Sequence, residues 1–106
     1  MAHSYYLYGS KSLDLQAARD NLAASLGISF SCRESDFKGG EYYLARRQGF
    51  EKLTIEANWM DEDGEFVEQD FPDFPVLVYV SNPVESVQSI LDGENHLQRL
   101  RGECID

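Results

Sequence analysis

Carboxylates are the residues of this chain best placed to do chemistry. From Trp59 to Asp73 the sequence holds seven of them, with no Lys or Arg, the only Trp and two Phe. Calcium binding is one use for such a stretch. It requires six to eight oxygens at set spacing, with the EF-hand glycine at position six. Gly64 stands fourth from Asp61, so the Asp61–Glu65 run reads as a solvated hairpin tip, and no metal is expected. General acid–base catalysis is a second use. It needs one carboxyl raised in pKa by an apolar pocket, whereas these cluster at turns where water screens them. A third use is to grip a basic surface.

Nucleophilic chemistry requires Cys or Ser close to a His. The histidines are His3, in an expected tail, and His96, near the chain end. Cys32 alternates with Ile28 and Phe30 and is expected inside. His96 and Cys104 could meet on a final strand, but two residues do not make a zinc site. Two cysteines in a chain of this size read as unpaired thiols. We therefore expect no catalytic residue, no cofactor, and a protein that is not an enzyme.

The charge distribution favours gripping. The chain has 106 residues and a net charge of −10. Leu53 to Gln98 carries eleven carboxylates and no Lys or Arg; Met1 to Lys52 carries seven basic and six acidic residues. The second half is a negative field that attracts basic proteins and repels phosphate backbones, so no direct nucleic-acid contact is expected. The longest apolar run, Val76–Val80, is far below the roughly 20 residues that span a bilayer. No basic start leads into an apolar core. A cytoplasmic protein is the expectation, with no membrane contact.

The elements that must position these charges follow from pattern. We expect a single domain over residues 1–106, with Met1–Ser4 a disordered tail or expression remnant. Tyr5–Tyr8 reads as a strand. Ser12 or Asp14 caps a helix whose stripe is Leu15, Ala18, Leu22 and Leu26, closed by Gly27. Ile28–Arg33 alternates as a strand, Lys38-Gly39-Gly40 turns, Glu41–Arg47 is a third strand and Gln48-Gly49 turns again. In Leu53–Trp59, Leu53, Ile55, Ala57 and Trp59 alternate inward. A three-residue loop, Glu62-Asp63-Gly64, gives Gly64 positive φ and sets Val67 opposite Trp59, both turned inward. The two prolines at 72 and 75 must leave the sheet. Val76–Val80 is a central strand. Asn82 caps a second helix with Pro83 at its first position and Glu85 at its third, as in a capping box; Gly93 ends it. His96–Cys104 is a short last strand. The pattern predicts an α+β fold. Its mostly antiparallel sheet has five to seven strands, two helices pack on one face, and ferredoxin-like β–α–β echoes lie at both ends.

The phrases Arg33-Glu34-Ser35-Asp36, Gly39-Gly40-Glu41-Tyr42-Tyr43, Asp61-Glu62-Asp63-Gly64-Glu65 and Asp70-Phe71-Pro72-Asp73-Phe74-Pro75-Val76-Leu77 resemble small acidic bacterial immunity proteins. These are encoded beside secreted or contact-delivered toxins, and each neutralises its partner. The resemblance runs from about Leu7 to Val80. It implies a non-catalytic protein that binds a basic toxin domain, such as a nuclease, through a carboxylate-rich face. The expected partner-binding residues are Asp61, Glu62, Asp63, Glu65, Glu68, Asp70 and Asp73, pointing outward, together with Tyr42, since exposed Tyr suits binding hot spots. The rival reading is a small regulatory or ligand-binding α+β domain, with Tyr-rich strands lining a pocket between sheet and helices.

Overall fold

The computed structural model describes residues 3–35, 40–47, 49–60 and 62–105. Its elements are β1 (His3–Ser10), α1 (Leu15–Leu26), β2 (Ser31–Ser35), β3 (Gly40–Arg47), β4 (Phe50–Ala57), β5 (Val76–Ser81), α2 (Glu85–Asp92) and β6 (Gln98–Ile105). They form one six-stranded sheet of order β2-β3-β4-β5-β1-β6, with every neighbouring pair antiparallel. The α+β class, the antiparallel sheet and the two helices match the sequence pattern. In the second β–α–β unit, β5 and β6 flank β1 on either side and run parallel to each other.

Both helices lie on one face. Ala18 and Leu22 of α1 and Leu91 of α2 are buried in one cluster with Tyr8, Tyr43, Leu53, Ile55, Val78 and Val80. Local chemistry sets the start and end of α1. Asp14 accepts a bond from the Ala17 N–H at 2.7 Å, and Gly27 closes the helix at φ 66°, where a side chain would clash with its own backbone. The central position of β5 follows from its apolar run: a strand covered on both faces has no polar side to show.

The second face is covered by chain rather than by helices. Residues 58–60 and 62–75 cross it as a strap. Leu7 and Leu77 form a second small core with Phe74, against which Phe71, Tyr79 and Leu100 pack. Phe71 and Phe74 meet edge to face at 6.4 Å, and Lys11 Nζ sits 5.0 Å from the centre of the Phe74 ring. Gly9 allows this: a Cβ there would come within 2.8 Å of both Phe74 Cδ1 and Leu100 Cδ1. The expected hairpin register is present. Met60 pairs with Phe66, the Val67 N–H donates to the Trp59 carbonyl at 3.0 Å, and Gly64 has φ 80°.

Five local expectations are corrected. His3 and Ser4 do not belong to a tail; they open β1, opposite Ile105 and Cys104. The Asn82 N–H donates to the Ser4 carbonyl and Asn82 Oδ1 accepts from the Ser4 N–H, which fastens this end of the sheet. Asn82 is thereby taken from the helix. Its φ is 49°, α2 starts only at Glu85, and the capping residue is Val84, with no side-chain cap bond. Cys32 is exposed, because β2 begins at Ser31 and stands at the sheet edge. Val67 is 43% exposed: the hairpin has left the sheet by then, so strand alternation no longer decides what is inside. Trp59 is half-buried, and its indole N–H is shielded with no described acceptor. Finally, Glu68 points inward. Met1, Ala2, Lys38, Gly39, Gln48 and Asp61 lie outside the described residues, and with them the turns expected at Lys38-Gly39 and Gln48.

Candidate functional site: an acidic strap and the groove beside it

The strap is fixed to the sheet by polar bonds as well as by its phenylalanines. Asn58, 6% exposed, is its hinge. Asn58 Oδ1 accepts from the Glu68 N–H at 3.0 Å, and Asn58 Nδ2 donates to the Phe71 carbonyl at 2.9 Å. The Asn58 N–H donates to the Pro75 carbonyl at 2.9 Å, which draws the two ends of the strap together.

Glu68 supplies the second fastening. The Tyr79 hydroxyl donates to Glu68 Oε1 at 2.6 Å, and both terminal nitrogens of Arg101 donate to the same carboxylate at 3.1 and 3.2 Å. Its side chain is only 14% exposed. Burial, and then the bond to Glu68, push the Tyr79 phenol well above the usual tyrosine range, so it stays a donor. The Arg101 guanidinium is likewise pushed up by its bond to Glu68. A planar guanidinium matches a carboxylate in this two-pronged geometry. Glu68 is thus neutralised within the fold and works as a clamp.

The other expected contact residues divide as follows. Glu62, Asp63, Glu65, Asp70 and Asp73 are exposed on the strap. Glu65 accepts a bond from Gln69 Nε2 at 2.9 Å. Tyr42 is half-buried on β3. Its neighbour Tyr43 faces the helix-side core, so Tyr42 faces the strap side. The acid and Tyr42 therefore share one face of the molecule.

That face also holds a groove the sequence did not reveal. The strap covers only part of the sheet, and the uncovered part is a groove of about 440 Å³ lined by Tyr5, Lys52, Thr54, Glu56, Val67 and Tyr79, among others. Tyr5 and Val67 are 42% and 43% exposed. At its floor Glu56 is 7% exposed, and Thr54 Oγ1 donates to Glu56 Oε2 at 2.6 Å. One signal was available. Val76–Val80 must be covered on both faces, so residues 58–75 must lie against the sheet. The alternating Thr54 and Glu56 then fall under them or beside them. Between sheet and helices, where the rival reading places a Tyr-lined pocket, Tyr8 and Tyr43 are packed into the core, and the cavity there, of about 220 Å³, is lined by Leu26, Phe50, Val87 and Ile90 among others, with no described Tyr.

Catalytic groupings fare less well. Ser12 Oγ and His96 Nδ1 lie 3.5 Å apart at the surface, and no described carboxylate bonds His96 to orient it, as a working triad requires. Cys104 lies opposite Ser4 at the far end of the eight-residue β6 from His96, about 25 Å away along an extended strand. Cys32 and Cys104 are both free. No group of three metal-ligating side chains occurs among the described residues, and no described helix is long and apolar enough to cross a membrane. The chain matches no protein-family model, no curated protein and no solved structure.

Proposed function

We propose that this is a cytoplasmic, non-catalytic binding protein of the toxin-immunity kind. It engages a basic toxin domain, such as a nuclease, through the exposed carboxylates of the strap and occludes the toxin's phosphate-binding site. One observation carries the reading: Glu62, Asp63, Glu65, Asp70 and Asp73 stand exposed on a segment that Glu68, Asn58, Phe71 and Phe74 hold against the sheet. Charges held in place before encounter lose little conformational freedom on binding. A one-signed surface also speeds association with an oppositely charged partner. None of these five carboxylates is buried in the core, and all five face solvent. A ligand-binding role is the second reading, favoured by the groove, whose size lies within the roughly 300–1,000 Å³ typical of small-molecule sites.

The test is co-purification with the product of the adjacent gene, and survival of cells expressing that product with and without this chain. A stoichiometric complex and protection are expected. Absence of both would end the proposal.

A further inference from the structure

We infer that the groove beside the strap is a receptor for one arginine side chain of the basic partner, with the guanidinium directed at Glu56. This rests on the partner-binding reading above and names the feature the partner presents.

The walls suit the stem of such a side chain. Tyr5 and Val67 project from opposite sides, on β1 and on the strap, and each leaves more than two-fifths of its surface open. The Tyr79 ring completes the lining. An arginine buries its methylenes on surfaces of this kind, and its guanidinium stacks on aromatic faces. The floor suits the head. Glu56 is almost wholly withdrawn from water, and Thr54 fixes the direction of its carboxylate. A carboxylate has about four acceptor positions, so bonds it already makes within the protein leave room for a guanidinium. Glu68, already paired with Arg101, fixes the Tyr79 hydroxyl and so holds this wall in place.

The alternatives fit less well. A neutral apolar side chain would fill the walls but make no hydrogen bond with the polar floor of Thr54 and Glu56. An anionic group would meet the Glu56 carboxylate. Lysine has the charge but lacks the planar fork that matches a fixed carboxylate. Lys52 lies opposite Ser81, near the solvent end of the groove and two residues from Thr54. Its like charge favours an arginine whose head lies deep, at Glu56, over one whose head stays at the mouth.

The experiment titrates the full chain with acetyl-Gly-Arg-Gly-amide and with the same peptide carrying citrulline, a neutral isostere of arginine, and follows backbone amide resonances. The arginine peptide should shift Tyr5, Thr54, Val67 and Tyr79 saturably, and bind at least about tenfold more tightly than the citrulline peptide, the factor set by one charge-assisted contact. Glu56→Gln should erase that preference. Because Glu56 is buried, Val67→Ala and Tyr5→Ala, both at exposed positions, serve as further variants, and each should weaken the arginine peptide several-fold with an unchanged thermal midpoint. Equal binding of the two peptides overturns the inference. Shifts confined to residues 62–73 also overturn it but leave the acidic surface standing. Silence everywhere, with an oligoarginine peptide as well, removes both.

Discussion

The two faces of the sheet bury comparable strands in different ways. Over the helix face, Tyr8, Leu53, Ile55, Val78 and Val80 lie under α1 and α2 in one apolar cluster. The Tyr8 hydroxyl reaches the cluster's margin and donates to Asp92 at 2.8 Å. Over the strap face, the apolar core is Leu7, Phe74 and Leu77 with a few half-buried neighbours; beside it lie Thr54, Glu56, Tyr79 and Glu68, all tied by hydrogen bonds. The first face concentrates apolar burial, which stabilises without direction. The second spends its area on directional bonds and leaves part of the sheet open. A protein whose stability rests on one face can keep the other for contact, and the location of the acid follows from that division.

The comparison predicts unequal mutational costs. Leu53, fully buried under the helices, should cost about 2–5 kcal/mol as Leu53→Ala. Denaturant unfolding would read this as a loss throughout the chain. Glu68→Ala removes the acceptor of the Tyr79 hydroxyl and of Arg101. Because Arg101 is half exposed, most of the effect should come from Tyr79, at about 1–3 kcal/mol. Its signature should be local. Hydrogen exchange should quicken at the amides of Val67, Phe71 and Phe74, whose bonds define the strap, more than in β4 and β5. Uniform quickening would mean that the two faces are one cooperative unit.

A smaller effect should come with alkali. Burial first, then hydrogen bonding to a carboxylate, hold Tyr79 and Tyr8 above their ordinary pKa. In each case the folded pKa exceeds the unfolded value near about 10, so the folded state keeps a proton that the unfolded state gives up. The stabilisation is complete below about pH 10 and declines as pH rises beyond it. Tyr79→Phe should flatten this decline in denaturant unfolding followed from neutral to alkaline pH. Parallel losses in the two chains would contradict the role given to Tyr79.

Much of the helix face was legible in the sequence because its signals are local or periodic. Asp14, Gly27 and the Ala18–Leu22 stripe define α1, and the apolar run of β5 requires a central place. The strap face was harder to read, for identifiable reasons. The register of the hairpin follows from Gly64, but register says nothing of which side faces water once the hairpin leaves the sheet, and so Val67 and Glu68 exchanged places. Asn82 has the local chemistry of a helix cap, and a long-range pairing with Ser4 outcompeted it. The groove depends on where residues 58–75 stop covering β4 and β5, which no short window of sequence contains.

The smallest effect on stability belongs to the surface charges. Glu62→Lys, Asp63→Lys and Asp70→Lys together should move unfolding by no more than about 0.5 kcal/mol per site, since all three are exposed. Their effect on association should be far larger, and this contrast is the sharpest expression of the division between the faces.

The central claim is tested most directly by the association rate of this chain with the adjacent gene's product, measured from low to high salt for the native and the triply reversed protein. The native rate should fall steeply as the screening length drops below about 10 Å, and the reversed protein should begin slower and depend little on salt. Equal rates for the two proteins, unmoved by salt, would contradict recognition through the acidic strap.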